Sequence, residues 1–151
     1  MQMAPSYDPQ RRKRVLDVLA SAPAKALAER WDAFGSCPDH TPIRRPETGL
    51  VMVRGRAGGG GAPFNLGEAS VSRASVRIAT GEVGHGYCLG RDTAKAEAIA
   101  VIDALWQREP ERVESEIVDP LEALAQAADR KRRDQSAATK VDFFTMVRGD
   151  N

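Results

Sequence analysis

The stretch Leu66-Gly67-Glu68-Ala69-Ser70-Val71-Ser72-Arg73-Ala74-Ser75-Val76-Arg77-Ile78, followed by the break Ala79-Thr80-Gly81-Glu82 and then by Val83 to Leu89, decides the fold. Its apolar residues alternate as in a half-buried strand, but the phase slips: Ala69 and Val71 share one side, Ala74, Val76 and Ile78 the other. A bulge near Ser72-Arg73 would restore the register. Thr80-Gly81-Glu82 then has the chemistry of a tight turn, and Val83 to Leu89 returns as the second strand of an antiparallel hairpin. The competing reading takes Val71, Ser75 and Ile78 as a helical stripe.

Upstream, Leu50-Val51-Met52-Val53 is a short apolar, partly β-branched run between Gly49 and the glycine-rich Gly55 to Gly61, which predicts a central strand. Earlier still, Asp8-Pro9 offers a capping carboxylate and a proline at the first helical position, and Val15, Leu16, Val18 and Leu19 give the helix an apolar face. Pro23 ends that helix and opens a second, in which Leu27, Trp31 and Phe34 form one stripe and Gly35 supplies the left-handed stop. Downstream, Asp92 predicts the N-cap of a third helix with Ala94, Ala98, Val101, Ile102 and Leu105 as its stripe and Pro110 as its end. A fourth is expected from Asp119-Pro120, with Leu121, Leu124, Ala125 and Ala128 on its buried face and Lys131, Arg132 and Arg133 suiting its C-terminal dipole. The expected fold is α+β in a single domain: N-terminal helices, an antiparallel sheet with a β-hairpin, two C-terminal helices and an extended C-terminal arm. Residues 1–8 are expected to be disordered, 9–141 to form the domain and 142–151 a docking arm.

At 151 residues the chain has the length of one domain that folds without disulfide or metal. Lys+Arg of 22 against Asp+Glu of 21 gives a formal charge of +1, which argues against strong nonspecific attraction to nucleic acid or to an anionic membrane. Two cysteines, Cys37 and Cys88, with no secretory signal and no long apolar run, point to a cytoplasmic protein.

Catalytic constellations are scarce. Gly58-Gly59-Gly60-Gly61 lacks the Lys-Ser or Lys-Thr and the following helix of a phosphate loop, and reads as a flexible connection between strands. Cys37-Pro38-Asp39-His40 and His85-Gly86-Tyr87-Cys88 hold the right inventory for tetrahedral zinc, yet Cys88 falls in an expected strand where a buried thiol is ordinary, and unliganded residues are the reading adopted. No nucleophile-base pair stands out, and Arg148-Gly149-Asp150 is a chance adhesion tripeptide. The basic runs Arg11-Arg12-Lys13-Arg14 and Lys131-Arg132-Arg133 could contact phosphates, but each adjoins a helix turn and reads first as a solvated face. The α-β-β-β-α order resembles a double-stranded-RNA module; the critical helix start, however, carries Asp92 and a single lysine, Lys95.

The chain ends on Asp142-Phe143-Phe144-Thr145-Met146-Val147-Arg148-Gly149-Asp150-Asn151, which puts half of its four phenylalanines within nine residues of the C-terminus. A tail this short cannot bury both rings by itself, so Phe143, Phe144, Met146 and Val147 are expected to dock on the chain's own core or on another subunit.

This decapeptide, together with Glu47 to Val51, the run into Phe64-Asn65-Leu66-Gly67-Glu68-Ala69, Arg73 to Arg77 and Gly84 to Asp92, resembles the PhnG family, the G subunit of the bacterial carbon-phosphorus lyase core complex, over about Val15 to Asn151. The resemblance implies an accessory subunit acting with the H, I and L subunits in exchanging the adenine of ATP for an alkylphosphonate, giving a ribose 1-phosphonate 5-triphosphate. It implies the H, I and J subunits as core-complex partners, with no nucleic acid and no membrane. ATP is then a substrate of the complex, and the iron-sulfur cluster and S-adenosylmethionine belong to the J subunit, leaving this chain with no cofactor, metal or catalytic residue. Arg54, Arg56, Arg91 and Arg148 lie beside the family-like segments and are candidates for phosphate contact, against interface ion pairs. The alternatives are an autonomous nucleic-acid-binding module and a small Cys/His metal-binding protein or enzyme.

Overall fold

The computed structural model describes residues 8–139. Asp8 caps helix α1 (Pro9–Ser21), its carboxylate accepting from the Gln10 amide at 2.9 Å with Pro9 at the first turn. Val15 and Leu19 bury the inner face of this helix. Helix α2 (Ala24–Phe34) follows from Pro23 and stops at Gly35, whose φ of 67° is the left-handed conformation that glycine adopts without strain. Leu27 and Phe34 are buried, and Trp31 stacks on Phe34 with ring centroids 5.8 Å apart.

Three strands form one antiparallel sheet in the order β1 (His40–Arg56), β2 (Pro63–Ile78), β3 (Val83–Leu89). The turn between β2 and β3 is the expected one, with the Gly81 amide donating to the Ile78 carbonyl at 2.9 Å and the Ile78 amide to the Glu82 carbonyl at 3.1 Å. The expected bulge at Ser72-Arg73 is absent: β2 pairs without interruption from Val71–Leu89 to Arg77–Val83. The phase slip has another cause. Ser72 takes the core-facing position between the two apolar sets, its hydroxyl donating to the Gly90 carbonyl at 2.9 Å, while Val71 is buried on the opposite side, outside the main core cluster. The register shifts fall between Pro42 and Arg44, between Arg44 and Glu47, and between Val53 and Arg54. The first two surround Pro42 and Pro46, which have no amide to give to a ladder.

The expectation of a central strand at Leu50–Val53 is also overturned. β2 is central and β1 is an edge; Leu50 is 62% exposed and Met52 53%.

One layer of helices covers one face of the sheet. Helix α3 (Thr93–Trp106) starts at Asp92, whose carboxylate accepts from the Lys95 amide at 2.9 Å, and lies directly on β3. A Cβ at Gly84 would stand 2.5 Å from the Ala104 nitrogen, and one at Gly86 2.8 Å from the Ala96 carbonyl carbon, with a carbonyl oxygen closer still in each case. Only glycine permits this approach. The helix side is correspondingly small: Ala96, Ala100 and Ala104 recur every four residues and are buried. Of the expected stripe Val101, Ile102 and Leu105 are buried, whereas Ala94 is exposed and Ala98 half-buried, and Ile99 joins the core in their place.

After α3 the chain is helical from Pro110 to Ala138. Helix α4 (Pro110–Val113) passes through a π-helical turn (Glu114–Val118) into α5 (Asp119–Ala138). Asp119-Pro120 therefore sits inside a longer helical run. Of the expected buried face on α5 only Leu121 is buried; Leu124 is 48% exposed and Ala125 and Ala128 are exposed, because the helix projects beyond the core.

The basic run of α1 is neither a solvated face nor a free anion site. Arg12 chelates the fully buried Asp103 on α3 through Nε–Oδ1 at 2.8 Å and Nη2–Oδ2 at 2.6 Å, and Asp103 also accepts from the His85 amide at 2.8 Å. Arg11 donates to Glu114 at 2.7 Å and Arg14 pairs with Asp119 and Glu122, so both bind α1 to the π turn and the start of α5. The hydrogen bonds to Glu122 and then Asp119 hold the Arg14 guanidinium even more firmly protonated than usual.

Candidate functional site

From Gly49 to Gly67 the strands β1 and β2 continue as a two-stranded ribbon past the end of β3, whose pairing with β2 stops at Val71–Leu89. Strand alternation gives each side of this ribbon its own apolar set. Leu50 and Met52 occupy one side, opposite Ser70 and Glu68. Val51 and Val53 occupy the other, opposite Ala69 and Gly67, and Gly55 continues that side with the Phe64 ring and Leu66 lying over it. Phe64 is 45% and Leu66 66% exposed, so neither side is covered by the described part of the chain. Gly58 and Gly59, with φ of 58° and 75°, turn the chain at the tip; the glycine run does connect two strands.

At the ribbon's base Thr48, Gly49, Leu50, Ser70 and Arg91 line a shallow cavity of about 400 Å³. The Ser72 hydroxyl behind it lies 3.4 Å from that of Thr48. Segments far apart in sequence thus meet here: Glu47 to Val51, the middle of β2 at Ser70, and Leu89-Gly90-Arg91-Asp92. The exposed Arg91 side chain makes no hydrogen bond or ion pair among the described residues. Arg54 and Arg56 stand four to six residues further along β1, roughly 13–20 Å away at strand rise, and Arg56 donates to the Gly61 carbonyl at 3.3 Å. The four candidate arginines therefore do not form one cluster: Arg91 is at the base, Arg54 and Arg56 near the tip, and Arg148 lies outside the described residues, as do Phe143, Phe144, Met146 and Val147.

The Cys/His set is dispersed. His85 and Cys88 point to opposite faces of β3, Cys88 buried and His85 exposed with its Nδ1 2.8 Å from the Ser75 hydroxyl. Cys37 is exposed, and His40 faces the Pro38 carbonyl at 3.1 Å and Glu97 at 3.5 Å. Burial raises the Cys88 thiol above its ordinary value, which keeps it protonated. Among the described residues no group of three or more His, Cys, Asp or Glu is placed to hold a metal. The groups a nucleic-acid module would use are committed too: Lys95 donates to the Ala20 and Ala22 carbonyls at 2.8 and 2.6 Å, closing the end of α1. Among the described residues no helix is long and apolar enough to cross a membrane.

Sequence reasoning missed the Gly84/Gly86 seat for α3, although glycines two apart in a strand with alanines four apart in the next helix were a usable signal. It also missed Asp103, an acid in the middle of an apolar helix.

The fold is α+β, and among the described residues it leaves the apolar side chains of the β1–β2 ribbon exposed. The profile of the family described as phosphonate metabolism protein PhnG matches residues 10–149. A relative from Rhizobium meliloti (strain 1021), the alpha-D-ribose 1-methylphosphonate 5-triphosphate synthase subunit PhnG, is 52% identical over 141 residues, covering 93% of this chain and 90% of the relative. The chain belongs to the PhnG family.

Proposed function

We infer that the chain is an accessory subunit of a ribose 1-methylphosphonate 5-triphosphate synthase, supporting the ATP-dependent step of organic phosphonate breakdown. The observation that carries this is the nearly full-length match to a subunit of that synthase. The exposed ribbon supports it, because a two-stranded apolar ribbon is marginal in water until something covers it. On this reading the partners are the H, I and J subunits of the core complex, with the L subunit joining in the ATP-dependent step, and the assembly works in the cytoplasm. ATP is the assembly's substrate, the iron-sulfur cluster and S-adenosylmethionine are held by the J subunit, and this chain binds no cofactor.

Arg91, unpaired among the described residues beside the Thr48 and Ser70 hydroxyls, is the better placed of the candidate phosphate contacts, and Arg148 of the tail is assigned with it to a site completed by a partner subunit. Co-expression with the other synthase subunits tests the whole reading: the chain should co-purify in fixed ratio, and its omission should abolish synthase activity. An Arg91→Ala, Arg148→Ala double variant should assemble normally yet slow turnover or raise the apparent KM for ATP. Full activity in that variant leaves the chain a purely architectural role.

A further inference from the structure

The ribbon's two-sided character says what kind of surface receives it. Over Thr48–Arg56 it is about 30 Å long and about 10 Å wide, so each face offers roughly 300 Å². A specific interface needs about 600–1,000 Å² from each partner, which one face does not supply and two faces begin to. A second copy of this chain stacked ribbon on ribbon would cover one face only, and pairing along the open edge of β1 would cover neither, leaving Leu50 and Met52 or Val53, Phe64 and Leu66 wet.

We propose that the ribbon inserts into a cleft of a non-identical subunit of the synthase, which covers both of its faces at once. The proposal rests on the accessory-subunit reading above and adds the surface and the shape of its acceptor. The charge of the ribbon fits the same occupant. Between Thr48 and Ser70 its ionisable residues are Arg54, Arg56 and Glu68, so the tip is basic and the far end of the cleft should present carboxylates.

The test uses the full chain co-expressed with the other synthase subunits, comparing Leu50→Ser/Met52→Ser on one face, Val53→Ser/Leu66→Ser on the other, and Leu124→Ser on α5 as the control. Each face pair should weaken incorporation by about tenfold or more, the control should not, and the isolated variants should melt like the parent because these side chains are already wet in the free chain. Hydrogen exchange on the unmodified complex gives a readout independent of any variant: protection should appear across 48–56 and 63–70. Sensitivity of one face only refutes insertion. A free chain that is dimeric and becomes monomeric in both ribbon pairs makes a second copy the occupant and overturns the proposal. If the parent co-purifies while the ribbon pairs incorporate normally, the ribbon proposal alone fails; if the parent co-purifies with no subunit, the accessory-subunit reading fails and this falls with it.

Discussion

Adding one methyl group at Gly86 is the sharpest probe of the packing. The new Cβ would meet the Ala96 carbonyl carbon at 2.8 Å and the Ala100 nitrogen at 2.9 Å, backbone atoms in the middle of a helix that no rotamer change can move aside. The nearest atom, the Ala96 carbonyl oxygen, would lie closer still, so relief requires α3 and β3 to separate by more than about 1 Å, which forfeits a large part of the contact energy along the seam. Separation also pulls on the bond from the His85 amide to Asp103, made between the two glycines. Overpacking of this kind costs about 1–3 kcal/mol where side chains can yield, and the backbone contact places Gly86→Ala at about 3 kcal/mol or above. For a chain of this size that is a fall of about 6–12 °C in melting temperature. Thermal denaturation followed by circular dichroism reads it, with Gly60→Ala as the comparison, since a Cβ there meets nothing within 4 Å and should stay within about 0.5 kcal/mol of the parent. A Gly86→Ala protein that melts within 2 °C or so of the parent would show that the helix does not rest on the strand as described.

Replacing Arg12 by Met leaves Asp103 buried with one remaining donor and should cost about 3–5 kcal/mol in urea denaturation; a loss below about 1 kcal/mol would mean that water reaches the pair. A maleimide should label Cys37 and spare Cys88 in the native protein, and equal labelling rates would contradict the burial of Cys88. Because burial raises the Cys88 thiol above its unfolded value, its contribution to stability is complete below about pH 8.5 and declines as pH rises beyond it; a Cys88→Ala chain should lose that alkaline component. Deleting residues 142–151 should leave the circular dichroism spectrum intact and abolish co-purification with the other subunits, and undiminished assembly would remove Phe143 and Phe144 as docking anchors.

Local chemistry was legible in the sequence wherever one residue type does one job. Asp8-Pro9, Gly35, Thr80-Gly81-Glu82 and Asp92 all sit where their capping or turn preferences put them. What periodicity could not tell was which apolar run meets the core. Leu50–Val53 reads like a buried strand, yet among the described residues Leu50, Met52 and Val53 stay exposed, because this part of β1 runs on past the end of β3 and the helices. The α5 face failed for a related reason: Leu124 lies beyond the core's edge, and helical spacing says nothing about where a core stops. Arg11-Arg12-Lys13-Arg14 shows the converse limit, since a charge run looks the same whether its partners are water or acids about a hundred residues later. Of the polar junction, Arg91 was singled out by its place before a helix, whereas its meeting with Thr48 and Ser70 depends on strand register that composition does not encode.

The open ribbon also bears on the life of the chain before it finds a partner. Proteins usually guard strand edges with charge, proline or a covering helix; here apolar side chains flank two adjacent edges, one on β1 and one on β2 beyond β3, with no neighbour among the described residues. Quality-control chaperones and proteases recognise such a surface as damage. If the ribbon inserts as proposed above, surplus copies would be held, aggregated or degraded while incorporated ones escape, so the steady-state level of this protein would follow the supply of its acceptor rather than its own rate of synthesis. Stoichiometry would then be enforced after translation, by the same side chains that the proposed insertion covers.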